Sequence, residues 1–360
     1  MIKVFVVDDS AVVRTAITAL VAHESDIELA GTAQDPIFAM EKFKKQGWPD
    51  VIILDIEMPR MDGITFLKKI MATRPTPVII CSSIAQTGSR TAIEAMSLGA
   101  VEVLGKPEYQ VKNFFEDVHN QFVHAIRAAA KSKVKNITNS TASFLSKVEV
   151  KLNADSVLPS INRTSSAAGG ERYIAIGSST GGVQTLEIII TKLPKNILPI
   201  VIAQHMPAGF TASFAERLNR ISPVTVKEAV NGDKLVRGTV YIAPGDFHTM
   251  VKRIGMTYIL EVKDGPRVSR HKPSVDVLFR SCSNEGAKAC TAFILTGMGD
   301  DGAKGMKELH DKGGRTYAQD EKSCIVYGMP KEAVALGGVD KSLTPLQIIE
   351  TIKELSNGTK

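Results

Sequence analysis

Short apolar runs rich in β-branched residues alternate with amphipathic stretches along the first part of the chain. Five of these runs are bounded by polar or turn-forming residues, as buried strands are, and they lie at 3–7, 28–32, 51–54, 78–81 and 102–104. The stretches between them have helical spacing, and the last has an apolar stripe of Val111, Phe114, Phe115, Val118 and Phe122. This alternation predicts a parallel sheet with helices on both faces.

The same alternation resumes in the second half of the chain, where a helix is predicted from about Gly182. Further apolar runs predict strands at 173–176, 199–203 and 291–295. Three more strand-like pieces lie around 240–242, 250–254 and 258–262. We expect these pieces to form antiparallel hairpins. The predicted fold class is α/β, with two doubly wound domains and a β-hairpin region inserted in the second.

Residues 131–170 separate the two patterned regions and lack their periodicity. The segment is rich in Lys, Ser, Thr and Asn, which is typical of a loop rather than of a packed element. It therefore predicts a flexible interdomain linker, with one domain at 1–130 and the other at 171–360.

Composition places the chain among ordinary globular proteins. Its 360 residues are 44% hydrophobic and 23% charged, which excludes disordered and fibrous classes and allows two domains. No apolar run approaches the roughly 18 residues of a membrane span, and the amino terminus turns acidic too soon for a signal peptide. Four cysteines without a CxxC pair predict no disulfide scaffold. We expect a cytoplasmic monomer that is not embedded in a membrane.

The net charge of +6 is unevenly distributed along the chain. It is −3 over 1–130, +4 over 131–170 and +5 over 171–360. The excess of the last region is spread over many residues, and no helix-turn-helix or basic recognition helix is evident. The charge therefore predicts no nucleic-acid partner.

Acidic residues follow two of the predicted strands in the first domain. Asp8 and Asp9 come after the first strand and Asp55 after the third. Function in open parallel sheets collects at the carboxyl ends of the strands, so these carboxylates are expected to converge. Such a cluster needs a cation, and oxygen ligands suit Mg²⁺. The plainer alternative is that each aspartate only caps a helix.

A hydroxyl and an ammonium group are predicted at the same edge, because Ser82 follows the fourth strand and Lys106 the fifth. Both could bind oxygens of a phosphoryl group carried by Asp55, since a carboxylate can act as a nucleophile and form an aspartyl phosphate. Five suitable residues at the ends of four strands favour this interpretation over helix capping.

With these residues in place, the region 1–125 resembles the receiver domain of response regulators. The matching pieces are VDDS at 7–10, LDIEMP at 54–59, MDG at 61–63 and GKP at 105–107. The resemblance implies that Asp55 accepts phosphate from a sensor histidine kinase and that Asp8, Asp9 and Asp55 hold Mg²⁺. It also makes Ser82 the switch hydroxyl and Lys106 a phosphate contact. The chain departs from the family near Val103, where an aromatic switch residue is common.

A glycine-flanked turn, GSSTGG at 177–182, follows the first strand of the second domain. Such a strand-to-helix turn can bind phosphate on backbone N–H groups, or it can expose a serine beside oxyanion donors. The serines could also simply cap the helix. The turn has neither GxGxxG nor the GK[ST] ending of a P-loop, which weakens both nucleotide interpretations.

A nucleophilic serine needs a base and an orienting acid. His205 follows the strand predicted at 199–203, and Asp300 and Asp301 follow the strand at 291–295. All of these groups could reach the edge where Ser179 lies. The order Ser, His, Asp differs from that of α/β-hydrolases, in which the acid precedes the histidine.

Residues 171–340 resemble the catalytic domain of the CheB family of chemotaxis protein-glutamate methylesterases. The matching pieces are IGSSTGG at 176–182, QHMP at 204–207, YIAPG at 241–245, HKPSVD at 271–276, LTGMG at 295–299 with DG at 301–302, AQDE at 318–321 and YGMP at 327–330. The resemblance implies that Ser179 is the nucleophile, His205 the general base and Asp301, rather than Asp300, the orienting acid. It makes Thr180 and Met298 oxyanion or pocket residues.

The resemblance further implies a phosphorylation-activated serine hydrolase. Its substrates would be glutamate methyl esters, and also glutamines, on the cytoplasmic helices of methyl-accepting chemotaxis receptors, and its activity would give chemotactic adaptation. Mg²⁺ would serve phosphorylation, and the ester chemistry would need no cofactor. The rival hypotheses are a receiver-controlled DNA-binding regulator and a non-enzymatic scaffold.

Overall fold

The computed structural model describes residues 1–22, 24–83, 86–107, 114–132, 152–161 and 172–358. The chain divides into two compact units, Met1–Ile137 and Thr138–Lys360. None of the helices in the described ranges has the length and apolar character that a bilayer crossing requires.

The first unit is a five-stranded parallel sheet with five helices. Its elements are β1 Ile2–Val7, α1 Ala11–Val21, β2 Ile27–Ala33, α2 Pro36–Gln46, β3 Val51–Leu54, α3 Gly63–Thr73, β4 Val78–Ser82, α4 Gln86–Ser97, β5 Glu102–Gly105 and α5 Phe114–Lys131. The strand order β2-β1-β3-β4-β5 is the flavodoxin-like order, so the carboxyl ends of β1, β3, β4 and β5 are neighbours. Of the stripe predicted for α5, Phe122 is buried and Val118 half-buried, and Val111 lies outside the described residues.

The second unit contains a seven-stranded sheet. Its elements are β6 Tyr173–Ser178, α6 Gly182–Ile190, β7 Ile200–Gln204, α7 Phe210–Ile221, β8 Thr225–Glu228, β9 Thr239–Ile242, β10 His248–Ile254, β11 Thr257–Lys263, α8 Val275–Gly286, β12 Cys290–Ile294, α9 Ala303–Asp311, β13 Arg315–Gln319, α10 Met329–Ala335, β14 Lys341–Leu343 and α11 Pro345–Ser356. The order is β14-β13-β12-β6-β7-β9-β8, and every described pair in this sheet is parallel. The chain builds outward in both directions from β6, which is the switch point at which ligands bind in such sheets.

The predicted fold class is confirmed, with one correction to the hairpin region. Strands β10 and β11 form the expected antiparallel hairpin outside the main sheet. The piece at 240–242 was expected to belong to a hairpin, and that expectation is wrong. It lies in β9, which pairs in parallel with β7 and β8. All four residues of β9 are buried, so its apolar run fits the interior of a parallel sheet better than a hairpin with one solvated face.

Residues 152–161 belong to the second unit and pack against the rest of it. This part of the segment 131–170 was predicted to be a flexible linker, and the structure differs from that prediction. We call residues 152–161 the strap. Its short 3-10 turn, Ala154–Ser156, buries Ala154 in a small apolar cluster with Met250, Val268 and Val277. The remaining residues of the predicted linker, apart from the end of α5 and Ser132, lie outside the described residues.

Polar contacts with two side chains of α8 anchor the strap. Arg280 donates from Nη1 to Asp155 Oδ1 at 2.5 Å and to the Leu158 carbonyl at 3.2 Å. The Asn284 side chain pairs with the carbonyl of Pro159 and the N–H of Ile161 at 3.0 Å each. The buried guanidinium of Arg280 also bonds Glu308 of α9, with Nε donating to Oε2 at 2.9 Å, so the strap supplies only part of the partners that its burial requires.

We expect Ala154→Asp to detach the strap, because a carboxylate cannot enter the apolar cluster without a cost of at least about 1–3 kcal/mol. The Ser269 amide, which donates to the Leu152 carbonyl at 2.9 Å, should then exchange its hydrogen about tenfold faster or more. Hydrogen exchange read by mass spectrometry measures this effect. Ile161→Asp is the matched control, since that side chain is exposed, and equal exchange in the two variants would contradict the role of Ala154.

Candidate active site and acidic pocket

The loop between β6 and α6 holds Ser179 by its backbone. The Ser179 N–H donates to the Thr296 carbonyl at 3.0 Å, and its carbonyl accepts from Gly182 N–H at 2.7 Å and from Gln204 Nε2 at 3.0 Å. Gly181 has a left-handed φ of 79° and is the N-cap of α6, and no described side chain caps this helix. The Ser179 hydroxyl is therefore not used as a helix cap, and one of the three sequence-based alternatives for the loop is removed.

His205 lies beside this loop because β6 and β7 are adjacent. Ser178 and Gln204 are partners in the sheet register, so Ser179 and His205 both follow paired strand ends. The His205 N–H donates to the Ser178 carbonyl at 3.0 Å. Gln204 joins the two loops, since it accepts from the Ser178 hydroxyl at 2.6 Å and donates to the carbonyls of Ser179 and His205 at 3.0 Å each.

Asp301, and not Asp300, has its carboxylate against His205. The distance between His205 Nε2 and Asp301 Oδ2 is 2.8 Å, and both side chains are buried. An ionised carboxylate accepts here, so the ring proton lies on Nε2 and the lone pair on Nδ1. His205 Nδ1 accepts no hydrogen bond from any described residue. The arrangement therefore leaves one imidazole nitrogen available as a base.

The amino terminus of α8 stabilises the charge on Asp301. The Ser274 hydroxyl and the Asp276 N–H donate to Oδ1 at 2.8 and 3.1 Å, and the Val275 N–H donates to Oδ2 at 2.7 Å. Burial alone raises the pKa of Asp301, but the hydrogen bond from His205, the charges of His205 and His271 and the backbone donor outweigh it and hold the pKa at about 2. The free N–H groups and the dipole at the amino terminus of a helix also favour negative charge.

Two further groups near Asp301 escaped the sequence-based prediction of the site. Ser274 caps α8 and bonds Asp301, yet from sequence it looks like an ordinary N-cap. Asp276 is buried beside Asp301, and burial together with the Asp301 charge raises the pKa of Asp276 to about 7. No spacing in the sequence brings α8 to the end of β12, so only the tertiary fold shows these contacts.

Thr180 and Met298 lie on the two loops that flank the site. Thr180 is buried next to Ser179, and its carbonyl accepts from the Thr296 hydroxyl at 3.0 Å. Met298 is half-buried on the loop after β12. Their oxyanion or pocket roles stay predictions.

In the first unit, the strand ends bring the predicted acidic residues together. Ligand oxygens of Asp8, Asp9 and Asp55 lie within 4.8 Å of one another, with Asp8 and Asp55 buried and Asp9 exposed. Lys106 Nζ is 2.7 Å from Asp55 Oδ2 and 3.3 Å from Asp8 Oδ2. Ser82 is buried at the end of β4, and its carbonyl accepts from the Lys106 N–H at 3.0 Å.

The electrostatics of this pocket favour an added cation. Burial and the nearby charge of Asp8 raise the pKa of Asp55 to about 6, with burial the larger cause. The hydrogen bond from Lys106 lowers it but does not outweigh burial. Burial also raises the pKa of Asp8, against the ammonium of Lys106 at 3.3 Å from its Oδ2. Three clustered carboxylates share the single positive charge of Lys106, and this oxygen-only donor set fits Mg²⁺.

Comparisons with known proteins agree with both halves of this description. The family model for the response regulator receiver domain matches residues 4–116, and that for CheB methylesterase matches residues 174–352. The second match favours an esterase over the rival DNA-binding domain.

Similar proteins extend over nearly the whole chain. Protein-glutamate methylesterase/protein-glutamine glutaminase 2 of Pseudomonas syringae pv. tomato is 54% identical over 348 residues and covers 97% of both chains. The protein of the same name from Chromobacterium violaceum is 52% identical and covers 97% of this chain and 98% of its own. The crystal structure of the Thermotoga maritima CheB methylesterase catalytic domain is 41% identical, covers 52% of this chain and 99% of its own, and has a TM-score of 0.50. With a receiver unit, a matching catalytic unit and relatives of this identity along its length, the chain belongs to the CheB methylesterase family.

Proposed function

We propose that this chain is a phosphorylation-activated serine hydrolase that demethylates glutamate methyl esters on the cytoplasmic helices of chemoreceptors. It also deamidates glutamines there, and the two activities give chemotactic adaptation. The observation that carries the proposal is the contact between His205 Nε2 and Asp301 Oδ2 at 2.8 Å, which leaves Nδ1 as a base beside the Ser179 loop. The names of the relatives support the same two activities.

The ester reaction follows from these groups. The Ser179 oxygen attacks the ester carbonyl as His205 Nδ1 takes the hydroxyl proton, and Asp301 stabilises the imidazolium. The tetrahedral intermediate collapses when the C–O bond to the methoxy group breaks and His205 returns the proton, which releases methanol. Water then adds to the acyl carbon as His205 takes its proton. The bond from that carbon to the Ser179 oxygen breaks, and His205 returns the proton to Ser179, which leaves a free glutamate side chain on the receptor. With glutamine, the first leaving group is ammonia.

Control of this activity is assigned to the acidic pocket. A sensor histidine kinase supplies the phosphoryl group, which Asp55 accepts, and the ammonium of Lys106 and the hydroxyl of Ser82 bind its oxygens. Asp8, Asp9 and Asp55 hold Mg²⁺, which when bound neutralises charge on the transferring phosphoryl group. A coupling free energy of about 1–3 kcal/mol between phosphorylation and hydrolysis is typical of such a switch.

We expect Ser179→Ala to lower methanol release from methylated receptor membranes by at least about 10³-fold, because the nucleophile is lost. Ser178→Ala is the matched variant on the same loop. Among the described residues its hydroxyl bonds Gln204, at 2.6 Å, so its loss should cost less than about tenfold. Methanol release by both proteins measures the difference. Undiminished release by Ser179→Ala would contradict the assignment of the nucleophile.

The acid is tested by comparing the neighbouring aspartates. Asp301→Asn should reduce turnover by about 10³- to 10⁴-fold, because an amide cannot hold the His205 proton on Nε2 or stabilise the imidazolium. Asp300→Asn should stay within about threefold of the wild type, since its carboxylate is not the one against His205. Steady-state kinetics on the same membranes decide between them, and a severe loss confined to Asp300→Asn would reverse the assignment.

The switch is tested with a labelled small phosphodonor such as acetyl phosphate. Wild-type protein should incorporate label only with Mg²⁺ present, and Asp55→Asn should incorporate none, because the accepting carboxylate is gone. Asp50→Asn is the control, since that exposed aspartate accepts from the Lys3 N–H at 2.8 Å and lies outside the cluster of Asp8, Asp9 and Asp55. A phosphodonor response of hydrolysis that persists in Asp55→Asn would show that another group controls the enzyme.

A further inference from the structure

A second histidine ring covers the face of His205. The rings of His205 and His271 have their centroids 3.7 Å apart and are inclined by only 6°, which is a parallel stack. Ligand nitrogens of both rings lie within 4.8 Å of the Asp301 carboxylate. His271 follows no strand of the main sheet, so the contact with His205 depends on the loop between β11 and α8.

That loop reaches His271 through a backbone turn that non-glycine residues rarely adopt. Ser269 and Arg270 have left-handed φ values of 51° and 72°. The residues on either side pair across the turn, with the Val268 N–H donating to the His271 carbonyl at 3.1 Å and the His271 N–H returning a bond at 2.8 Å. Two successive left-handed residues with side chains persist only where the surroundings hold them.

Three contacts hold this turn. The Ser269 hydroxyl donates to Asp276 Oδ2 at 3.2 Å, and the Ser269 N–H donates to the Leu152 carbonyl of the strap at 2.9 Å. Val268 is buried in the apolar cluster beneath the strap. Asp276 also donates its N–H to Asp301 at 3.1 Å, so one residue, Asp276, contacts both the turn and the orienting acid.

The stack supplies a constraint that the Asp301 hydrogen bond alone does not. One bond at Nε2 fixes one atom of the His205 ring, and Nδ1 has no partner among the described residues. The ring could therefore still rotate about its Cβ–Cγ bond, which passes close to Nε2, and so change the direction of Nδ1. A flat surface at van der Waals distance opposes this rotation, because a parallel ring would lose its contact.

We propose that His271 is a positioning residue whose ring face fixes the plane of the His205 imidazole and so aims Nδ1 at the nucleophile. The inference rests on the proposed function, in which His205 is the base. It assigns His271 no proton transfer. A flat apolar ring at position 271 would therefore keep the plane of the His205 ring, although it would lack the His271 charge that helps to lower the pKa of Asp301. A small side chain would keep neither.

The test compares His271→Ala and His271→Phe in the full chain. We expect His271→Ala to lower kcat for methanol release by about 10- to 100-fold with KM within about threefold, because a small displacement of a catalytic group costs this much. His271→Phe should recover to within about threefold of the wild type. His310→Ala is the control, since His310 is on α9 and bonds only surface carboxylates in the described structure.

A second measurement reports on the ring itself. The proton between His205 Nε2 and Asp301 should give a sharp downfield NMR signal in the wild type and in His271→Phe. In His271→Ala we expect it to broaden or exchange faster, while thermal unfolding shows the protein folded.

Each result decides the proposal. A His271→Phe protein as slow as His271→Ala would mean that the imidazole nitrogens are needed, and wild-type kinetics and NMR in His271→Ala would mean that the stack does nothing. Either overturns the proposal. Failure of the proposed function looks different, because the wild type would then release no methanol, and the NMR comparison would still judge the stack.

Discussion

The buried carboxylate of Asp301 is the constraint on which the arrangement of the second unit's site depends. A carboxylate that is 1% exposed is stable as an ion only if donors replace its water. It has four, from the Ser274 hydroxyl, the N–H groups of Val275 and Asp276, and the ring of His205. Three of these belong to the first turn of α8 or its cap, so that helix must begin where β12 delivers its loop. The His205 ring is thus held at Nε2 by a buried anion whose charge the amino terminus of α8 stabilises.

The two units place aspartates at the same kind of sheet edge and give them opposite properties. Asp55 is buried beside Asp8, and its pKa rises to about 6 despite Lys106. Asp301 is buried at a helix N-terminus against His205, and its pKa falls to about 2. An added cation would relieve the repulsion between the carboxylates in the first arrangement. The second needs nothing added, which suits a permanent orienting group. The two residues are of the same type and both are buried, so the difference between their pKa values comes from the groups that contact them.

Sequence patterns predicted the strands of the first sheet to within one or two residues, because buried parallel strands are nearly continuous apolar runs. The residues at the strand ends followed from the same pattern, and the structure brings Asp8, Asp9 and Asp55 together. Sequence patterns did not predict the structure correctly where tertiary contacts determine the conformation. The piece at 240–242 has no local feature that separates a parallel strand from a hairpin. The strap lies in a segment without sustained periodicity, yet it buries Ala154 and pairs with Arg280. The sequence indicates that Ser274 is a helix N-cap, and the structure agrees. Its contact with Asp301 depends on the tertiary fold and could not be predicted from the sequence.

Hydrogen bonds connect the strap to the base without interruption. The Leu152 carbonyl accepts from Ser269, whose hydroxyl bonds Asp276. The Asp276 N–H bonds Asp301, which holds His205. The turn that carries His271 is one link of this chain, so the stack and the orienting acid are set by the same support. Leu152, which precedes β6 along the chain, is thereby linked to the contact between Asp301 and His205. The Ser269–Arg270 turn, with its two left-handed residues, is the element at which coupling would act, because the Leu152 carbonyl and the Asp276 carboxylate both bond to Ser269.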